Sequence, residues 1–112
     1  MDDHLHILWT SDNPAAFEKM VLMYAVNSLV HGWWKKVTVI VWGPATRLAA
    51  EDQTVARQIS LARERGVAFS VCVTCAKELG VSGQLEEQGL ELIPWGPPLT
   101  ELLKMRAPLL TV

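Results

Sequence analysis

Two continuous apolar runs constrain the fold of this chain more than any other feature. Residues 37–42 read Val-Thr-Val-Ile-Val-Trp, and residues 67–73 read Val-Ala-Phe-Ser-Val-Cys-Val. A strand with one solvated face alternates apolar and polar residues, whereas a strand covered on both faces is apolar nearly throughout. We therefore predict that both runs are buried strands of a parallel sheet.

The remaining sequence alternates strand-like and helix-like patterns, with glycine after helices and turn residues after strands. This order predicts one α/β domain over residues 1–112, a three-layer sandwich around a mostly parallel sheet of about five strands. The other predicted strands cover residues 4–10 and 90–93, with an edge strand at 108–112. The predicted helices cover residues 14–31, 53–65, 74–80, 82–88 and 99–105.

Composition and charge exclude several classes of function. Half of the 112 residues are apolar, which is enough for a core, and the net charge is −2. No basic run is present, so we expect neither nucleic acid nor an anionic membrane as a partner. No stretch approaches the roughly 20 apolar residues of a membrane span. The acidic start Met1-Asp2-Asp3-His4 is unlike a signal peptide, so we expect a cytoplasmic protein with reduced cysteines.

The first predicted helix is apolar around most of its circumference. Only Glu18, Lys19 and Asn27 are clearly polar between residues 17 and 31. Such a helix needs cover on more than one side. One thin sandwich covers one side, so we expect a homo-oligomer.

The two cysteines, Cys72 and Cys75, mark the most informative position for chemistry. They lie three residues apart, where a strand-like run changes into a helix-like run. The first turn of a helix can lower a thiol pKa and so favour the reactive thiolate. Cysteine is also a small hydrophobic residue that is often simply buried. The spacing alone fits a redox dithiol, half of a zinc site, or a nucleophile with a resolving neighbour.

A metal centre is the least favoured of these alternatives. A closed zinc site needs four ligands, and beyond the cysteines the chain offers only His4, His6 and His31. His4 and His6 share one strand face and are interpreted as a solvated pair at the strand start. We expect no metal and no cofactor.

Several turns are predicted to converge at one sheet edge. Trp42-Gly43-Pro44 and Trp95-Gly96-Pro97 each follow a strand, and parallel strands end on the same edge. For Trp33-Trp34, packing at a helix–strand corner and an interface or ligand wall are equally favoured. The predicted substrate-binding residues at the edge are Ser11, Asn13, Trp42, Gly43, Arg47, Thr74, Trp95 and Gly96.

Taken together, the strand-plus-turn segments resemble the DsrE/DsrF-like family of small sulfur-metabolism proteins over nearly the whole chain. The segments are 5–10, 11–14, 39–44, 71–81 and 92–96, and the most specific match is Cys72, eight residues before Gly80. The resemblance implies a persulfide on Cys72, a second cysteine at Cys75, and trimers, hexamers or hetero-oligomers.

Three functions follow as hypotheses. The first is a sulfur carrier or sulfurtransferase. In this hypothesis Cys72 takes sulfane sulfur from a donor protein and passes it to an acceptor protein. In that scheme Cys72 is the more reactive thiol, and Cys75 releases the sulfur by forming a disulfide. The second is a dithiol oxidoreductase, and the third is a non-catalytic oligomeric module that binds a small molecule.

Overall fold

Five parallel strands form one sheet through the centre of the molecule. The computed structural model describes residues 3–112, in which the strands lie in the order β4-β3-β2-β1-β5. Every neighbouring pair is parallel, so the predicted α/β class and five-stranded parallel sheet are confirmed. The strands are β1 His4–Trp9, β2 Lys36–Val41, β3 Ala68–Cys72, β4 Glu91–Ile93 and β5 Leu109–Thr111.

The first connection is one continuous helical segment over residues 14–30. It comprises α1 (Pro14–Ala16), a π-helical stretch (Phe17–Leu22) and α2 (Met23–Val30). The Asn13 side chain caps it by accepting the N–H groups of Ala15 and Ala16, at 2.8 and 3.2 Å. The sequence predicted this helix but gave no sign of the wider π-helical turns.

The other connections are helical as well, including one helix that the sequence pattern did not predict. That helix, α3, lies directly after the turn that follows β2 and contains Arg47. The remaining helices follow the predicted positions to within a few residues. These helices are α3 Ala45–Glu51, α4 Gln53–Glu64, α5 Val73–Glu78, α6 Ser82–Glu87 and α7 Gly96–Lys104.

The strand order places the helices in two layers. The connections from β1 to β4 all step in one direction across the sheet, and only the last, through α7, steps back to β5. Because such connections are right-handed, the first helical segment and α3 to α6 cover one face, and α7 covers the other. We call these the first face and the second face.

Apolar side chains fill the first face. They alternate along β1, β2 and β3 and are all at most 7% exposed, and the ring of Trp9 lies 4.4 Å, centroid to centroid, from that of Phe17 in the helical segment. Removing this much apolar surface from water is the main stabilisation of the fold. The strand residues are Leu5, Ile7, Trp9, Val37, Val39, Val41, Phe69 and Val71.

The second face carries polar side chains under thinner cover. Trp95, just before α7, donates its indole N–H to Ser70 Oγ at 2.9 Å, and its ring meets the His6 ring edge-on at 6.2 Å. His4 lies beside His6, with the ring centroids 4.0 Å apart, and contacts Thr38 Oγ1 at 2.7 Å. His6 is buried at 8% exposure. The prediction of a solvated pair was therefore wrong for His6, because the Trp95 ring packs against it from a distant part of the sequence.

Candidate functional site

Cys72 is the last residue of β3 and lies where two connections diverge. The chain leaves β3 through α5 toward the first face, and it leaves the neighbouring β4 through α7 toward the second face. Open α/β sheets bind ligands at the carboxyl ends of strands around such a divergence. The position of Cys72 in the fold is therefore suited to a reactive group. Its side chain is only 4% exposed, however, and is shielded from solvent.

Cys75 lies in the first turn of α5 and is half-buried. Its Sγ accepts a hydrogen bond from the backbone N–H of Gly43 at 3.3 Å. Gly43 follows β2 with φ +63°, a left-handed conformation that favours glycine. The turn after β2 thus places an N–H donor against a thiol that belongs to another strand–helix junction.

A cleft of about 350 Å³ opens beside this contact. Arg47 and Pro44 lie in its wall and also line an adjoining hollow of about 320 Å³. The two spaces share these residues and so adjoin at the carboxyl edge of the sheet, and we refer to the cleft and the hollow together as the depression. The cleft is lined by Gly43, Pro44, Arg47, Cys75, Glu78 and Leu79, and the hollow by Asp12, Pro44, Arg47, Leu48, Glu51 and Asp52.

The surroundings of Cys75 raise the pKa of its thiol above the ordinary value. Burial is the largest cause, and the neighbouring Cys72 thiol and the Glu78 carboxylate act in the same direction. The Gly43 N–H opposes them by stabilising the thiolate. The lowered pKa expected at a helix start is therefore not found at Cys75, because desolvation outweighs the backbone contribution.

Of the predicted site residues, Gly43, Arg47 and Cys75 line the cleft. Ser11 and Asn13 build the start of the first helical segment, where Ser11 Oγ accepts the Asn13 N–H at 3.1 Å, and neither lines the depression.

The other predicted site residues lie elsewhere along or near the same edge. Trp42 is half-buried, and its backbone N–H donates to Trp9 O at 3.0 Å. Thr74 and Gly96 are exposed and outside the cleft lining. Trp95 lies over the second face, so the two Trp-Gly-Pro turns do not line one shared pocket.

Sequence reasoning missed Glu78 and Leu79. Both follow Cys75 by one helical turn and so lie on its side of α5. That spacing was readable in the sequence once α5 was predicted. Glu51 lies one helical turn after Arg47 in α3 and pairs with it, a spacing that was readable only if α3 had been predicted. Asp12 carried no such signal, because its position beside Arg47 depends on how α3 packs beside the end of β1.

A separate apolar groove runs along the outside of the helix layer. It has a volume of about 520 Å³ and lies between the first helical segment and α4. Met23 and Leu61 are 48% and 54% exposed on its rim.

Near the end of the helical segment Trp34 is half-buried and donates to Tyr24 Oη at 3.2 Å, whereas Trp33 is exposed and stacks on His31. Trp34 therefore packs at the helix–strand corner.

Residues 3–112, the described part of the chain, contain neither a cluster of metal ligands nor a membrane-spanning helix. No group of three or more His, Cys, Asp or Glu side chains in that range is placed to hold a metal ion. None of the helices in the same range has the length and hydropathy that a membrane span requires.

This chain is similar to proteins whose structures have been solved. No family model and no curated protein matches this chain. A conserved protein of unknown function from Bacteroides thetaiotaomicron is 36% identical over 98% of this chain and 95% of its own, with a TM-score of 0.94. This chain belongs to the same family as that Bacteroides protein.

A more distant structure shares the fold alone. It is a protein of unknown function from Methanobacterium thermoautotrophicum, with 16% identity and a TM-score of 0.69, and the match covers 97% of this chain and 98% of that chain. The parallel sheet and its helix layers therefore persist where most residues differ.

Proposed function

We propose that this protein is a sulfur carrier of the DsrE/DsrF-like kind, which holds sulfane sulfur as a persulfide on its Cys72/Cys75 pair. The observation that carries the proposal is the Cys75 thiol in an open cleft, fixed by the Gly43 N–H, with Cys72 buried next to it. The cleft has space for a second sulfur atom and admits a thiol from outside.

The geometry favours Cys75 as the thiol that is loaded. Cys75 lines the cleft, whereas Cys72 is 4% exposed. The family spacing to Gly80 favours Cys72 instead. The two assignments give the same pair of residues opposite roles, and they are separable by experiment.

The transfer balances without an external oxidant. The Cys75 thiolate attacks the outer sulfur of a donor persulfide, a new S–S bond forms, and the donor thiolate leaves. An acceptor thiolate then attacks the outer sulfur of the Cys75 persulfide and regenerates the Cys75 thiolate. Alternatively, Cys72 attacks the inner sulfur, and hydrosulfide leaves as the Cys72–Cys75 disulfide forms. The Gly43 N–H would stabilise the Cys75 thiolate that attacks the donor and that the acceptor thiolate regenerates.

Whole-protein mass spectrometry after exposure to a persulfide donor tests the proposal. We expect the mass to rise by one sulfur atom in the wild type and in Cys72→Ser, but not in Cys75→Ser. Loading of Cys75→Ser with none in Cys72→Ser would assign the persulfide to Cys72. Ser60→Ala, exposed on α4, serves as a matched control that loads normally.

The closest alternative is a dithiol oxidoreductase. The three-residue spacing and the contact between the two thiols favour it. It predicts loss of two hydrogen atoms on mild oxidation and no sulfur gain with the persulfide donor. A protein that shows neither change would be a binding module.

The proposal includes self-association in the cytoplasm as a trimer or hexamer. The support is the apolar groove beside the first helical segment, with Met23 and Leu61 exposed on its rim. A patch of exposed apolar side chains of this kind is typical of protein–protein interfaces. Light scattering at micromolar concentration should give a multiple of the chain mass, and Leu61→Glu should reduce it; a monomer in the wild type would contradict self-association.

A further inference from the structure

Carboxylates outnumber cations in the lining of the depression. The charged residues of its lining are one guanidinium, on Arg47, and four carboxylates, on Asp12, Glu51, Asp52 and Glu78. The Cys75 cleft itself has one of each, Arg47 and Glu78, and the other carboxylates line the hollow beside it. Arg47 Nη1 lies 3.9 Å from Glu51 Oε2, so part of its positive charge is offset within that pair.

The nearest other positive charge along the chain does not change this balance. Lys77 precedes Glu78 in α5, but it is exposed and belongs to neither lining. The excess of negative charge beside the Cys75 cleft therefore comes from the hollow that adjoins it.

We propose that this acidic rim selects sulfur donors and acceptors whose reactive sulfur is flanked by positive charge. The inference rests on the proposed function and names the substrate class of the same cleft. Charges of one sign around a cleft raise the local concentration of oppositely charged molecules and their association rate. They repel anionic donors such as thiosulfate by the same means.

Charge also links recognition to reactivity at this site. The Glu78 carboxylate helps to raise the Cys75 pKa, and a cation bound next to it acts in the opposite direction because it stabilises the thiolate. A positively charged substrate is thus drawn to the cleft and promotes formation of the nucleophile there. An anionic substrate does neither.

The test uses Cys72→Ser, in which Cys75 is the only thiol. Its rate of modification is measured with two methanethiosulfonates of similar size, one carrying a trimethylammonium group and one a sulfonate. In both reactions the Cys75 thiolate attacks the reagent sulfur, an S–S bond forms and methanesulfinate leaves. Each rate is divided by the rate for a small free thiol, which removes the intrinsic difference between reagents.

We expect the normalised rate to favour the cationic reagent about tenfold at low ionic strength. The preference should shrink toward unity at about 1 M salt, where the Debye length is roughly 3 Å. Glu78→Gln should lower the preference several-fold, and Glu64→Gln, at the end of α4 near the opposite sheet edge, should leave it unchanged. A preference near unity at low salt, or one that salt does not change, would overturn the inference.

The positive charge has two sources, a small cationic thiol or a lysine-flanked cysteine of a protein. Exchange rates with the symmetric disulfides of cysteamine and of a Lys-Cys-Lys peptide distinguish them, because the Cys75 thiolate attacks one sulfur, a mixed disulfide forms and the other half leaves as a thiolate. The disulfide of a Glu-Cys-Glu peptide is the matched control. Faster exchange of the lysine peptide assigns a protein partner, and faster exchange of cysteamine assigns a small molecule. Exchange that is fastest with the glutamate peptide would contradict the inference.

The inference and the proposed function fail differently. Persulfide loading without charge preference would remove the inference and leave the sulfur-carrier proposal intact. A charge preference without persulfide loading would remove the sulfur chemistry and show an acidic cleft that selects cationic thiols for another purpose.

Discussion

The two faces of the sheet differ in the polarity of their side chains and in how completely helices cover them. The first face is apolar, and several helices bury it almost completely. The second face carries His4, His6, Thr38 and Ser70 beneath one helix and one tryptophan. Leu103 and Met105, near the end of that helix, remain 57% and 65% exposed. The comparison shows that burial of apolar area stabilises the fold on one side, while hydrogen bonds and ring contacts fix the geometry on the other.

The largest expected effect is on the first face. Phe17→Ala removes a side chain that is 0% exposed and packed on Trp9, and it should lower the free energy of unfolding by about 3–5 kcal/mol. Leu103→Ala, at 57% exposure over the second face, should lower it by less than about 1 kcal/mol. Chemical denaturation measures both, and equal losses would show that the two faces contribute alike.

A hydrogen bond is the expected stabilising element of the second face. Ser70→Ala leaves the buried indole N–H of Trp95 without its acceptor, which should lower the free energy of unfolding by about 1–3 kcal/mol. Ser60→Ala, an exposed position on α4, is the matched control and should change it by less than about 0.5 kcal/mol. If both variants unfold at the same denaturant concentration, Trp95 holds its position by packing alone.

The two thiols differ in their exposure to solvent. Cys72 ends a buried strand, whereas Cys75 is half-buried in the helix layer. We expect Cys75 to be alkylated about tenfold faster than Cys72, since a reagent reaches Cys72 only through local opening. Competitive labelling followed by peptide mapping measures the ratio. Faster labelling of Cys72 would make Cys72 the more reactive thiol, as the resemblance to the DsrE/DsrF-like family implies.

The smallest expected effect is electrostatic. Glu78→Gln removes one of the charges that raise the pKa of the Cys75 thiol, so this pKa should fall. Below the pKa the thiolate fraction then rises at any given pH, and alkylation of Cys75 should accelerate by about two- to threefold near neutral pH. The pH profile of labelling in the Cys72→Ser background should move to lower pH, and an unmoved profile would contradict the contribution of Glu78.

Much of the fold followed from local pattern. The largely apolar runs at residues 37–42 and 67–73 correspond to β2 and β3, and all five strands lie where the turn residues bounded them. The helix α3 was missed because its short sequence, Ala-Thr-Arg-Leu-Ala-Ala-Glu, lies against the turn after β2 and has too few residues for a clear helical period. The burial of His6 was missed because it depends on Trp95, which lies 89 positions later in the sequence.

The sequence by itself determined the strand and helix order and the position of both cysteines at the end of β3, because these features depend on neighbouring residues. Only the tertiary structure decided which thiol faces solvent, which backbone N–H contacts it and which carboxylates surround it. Gly43, Arg47 and Cys75 come from two strand–helix junctions that are more than 25 residues apart. Their convergence follows from the pairing of β2 with β3, since parallel neighbours end at the same edge, and no local pattern specifies that pairing.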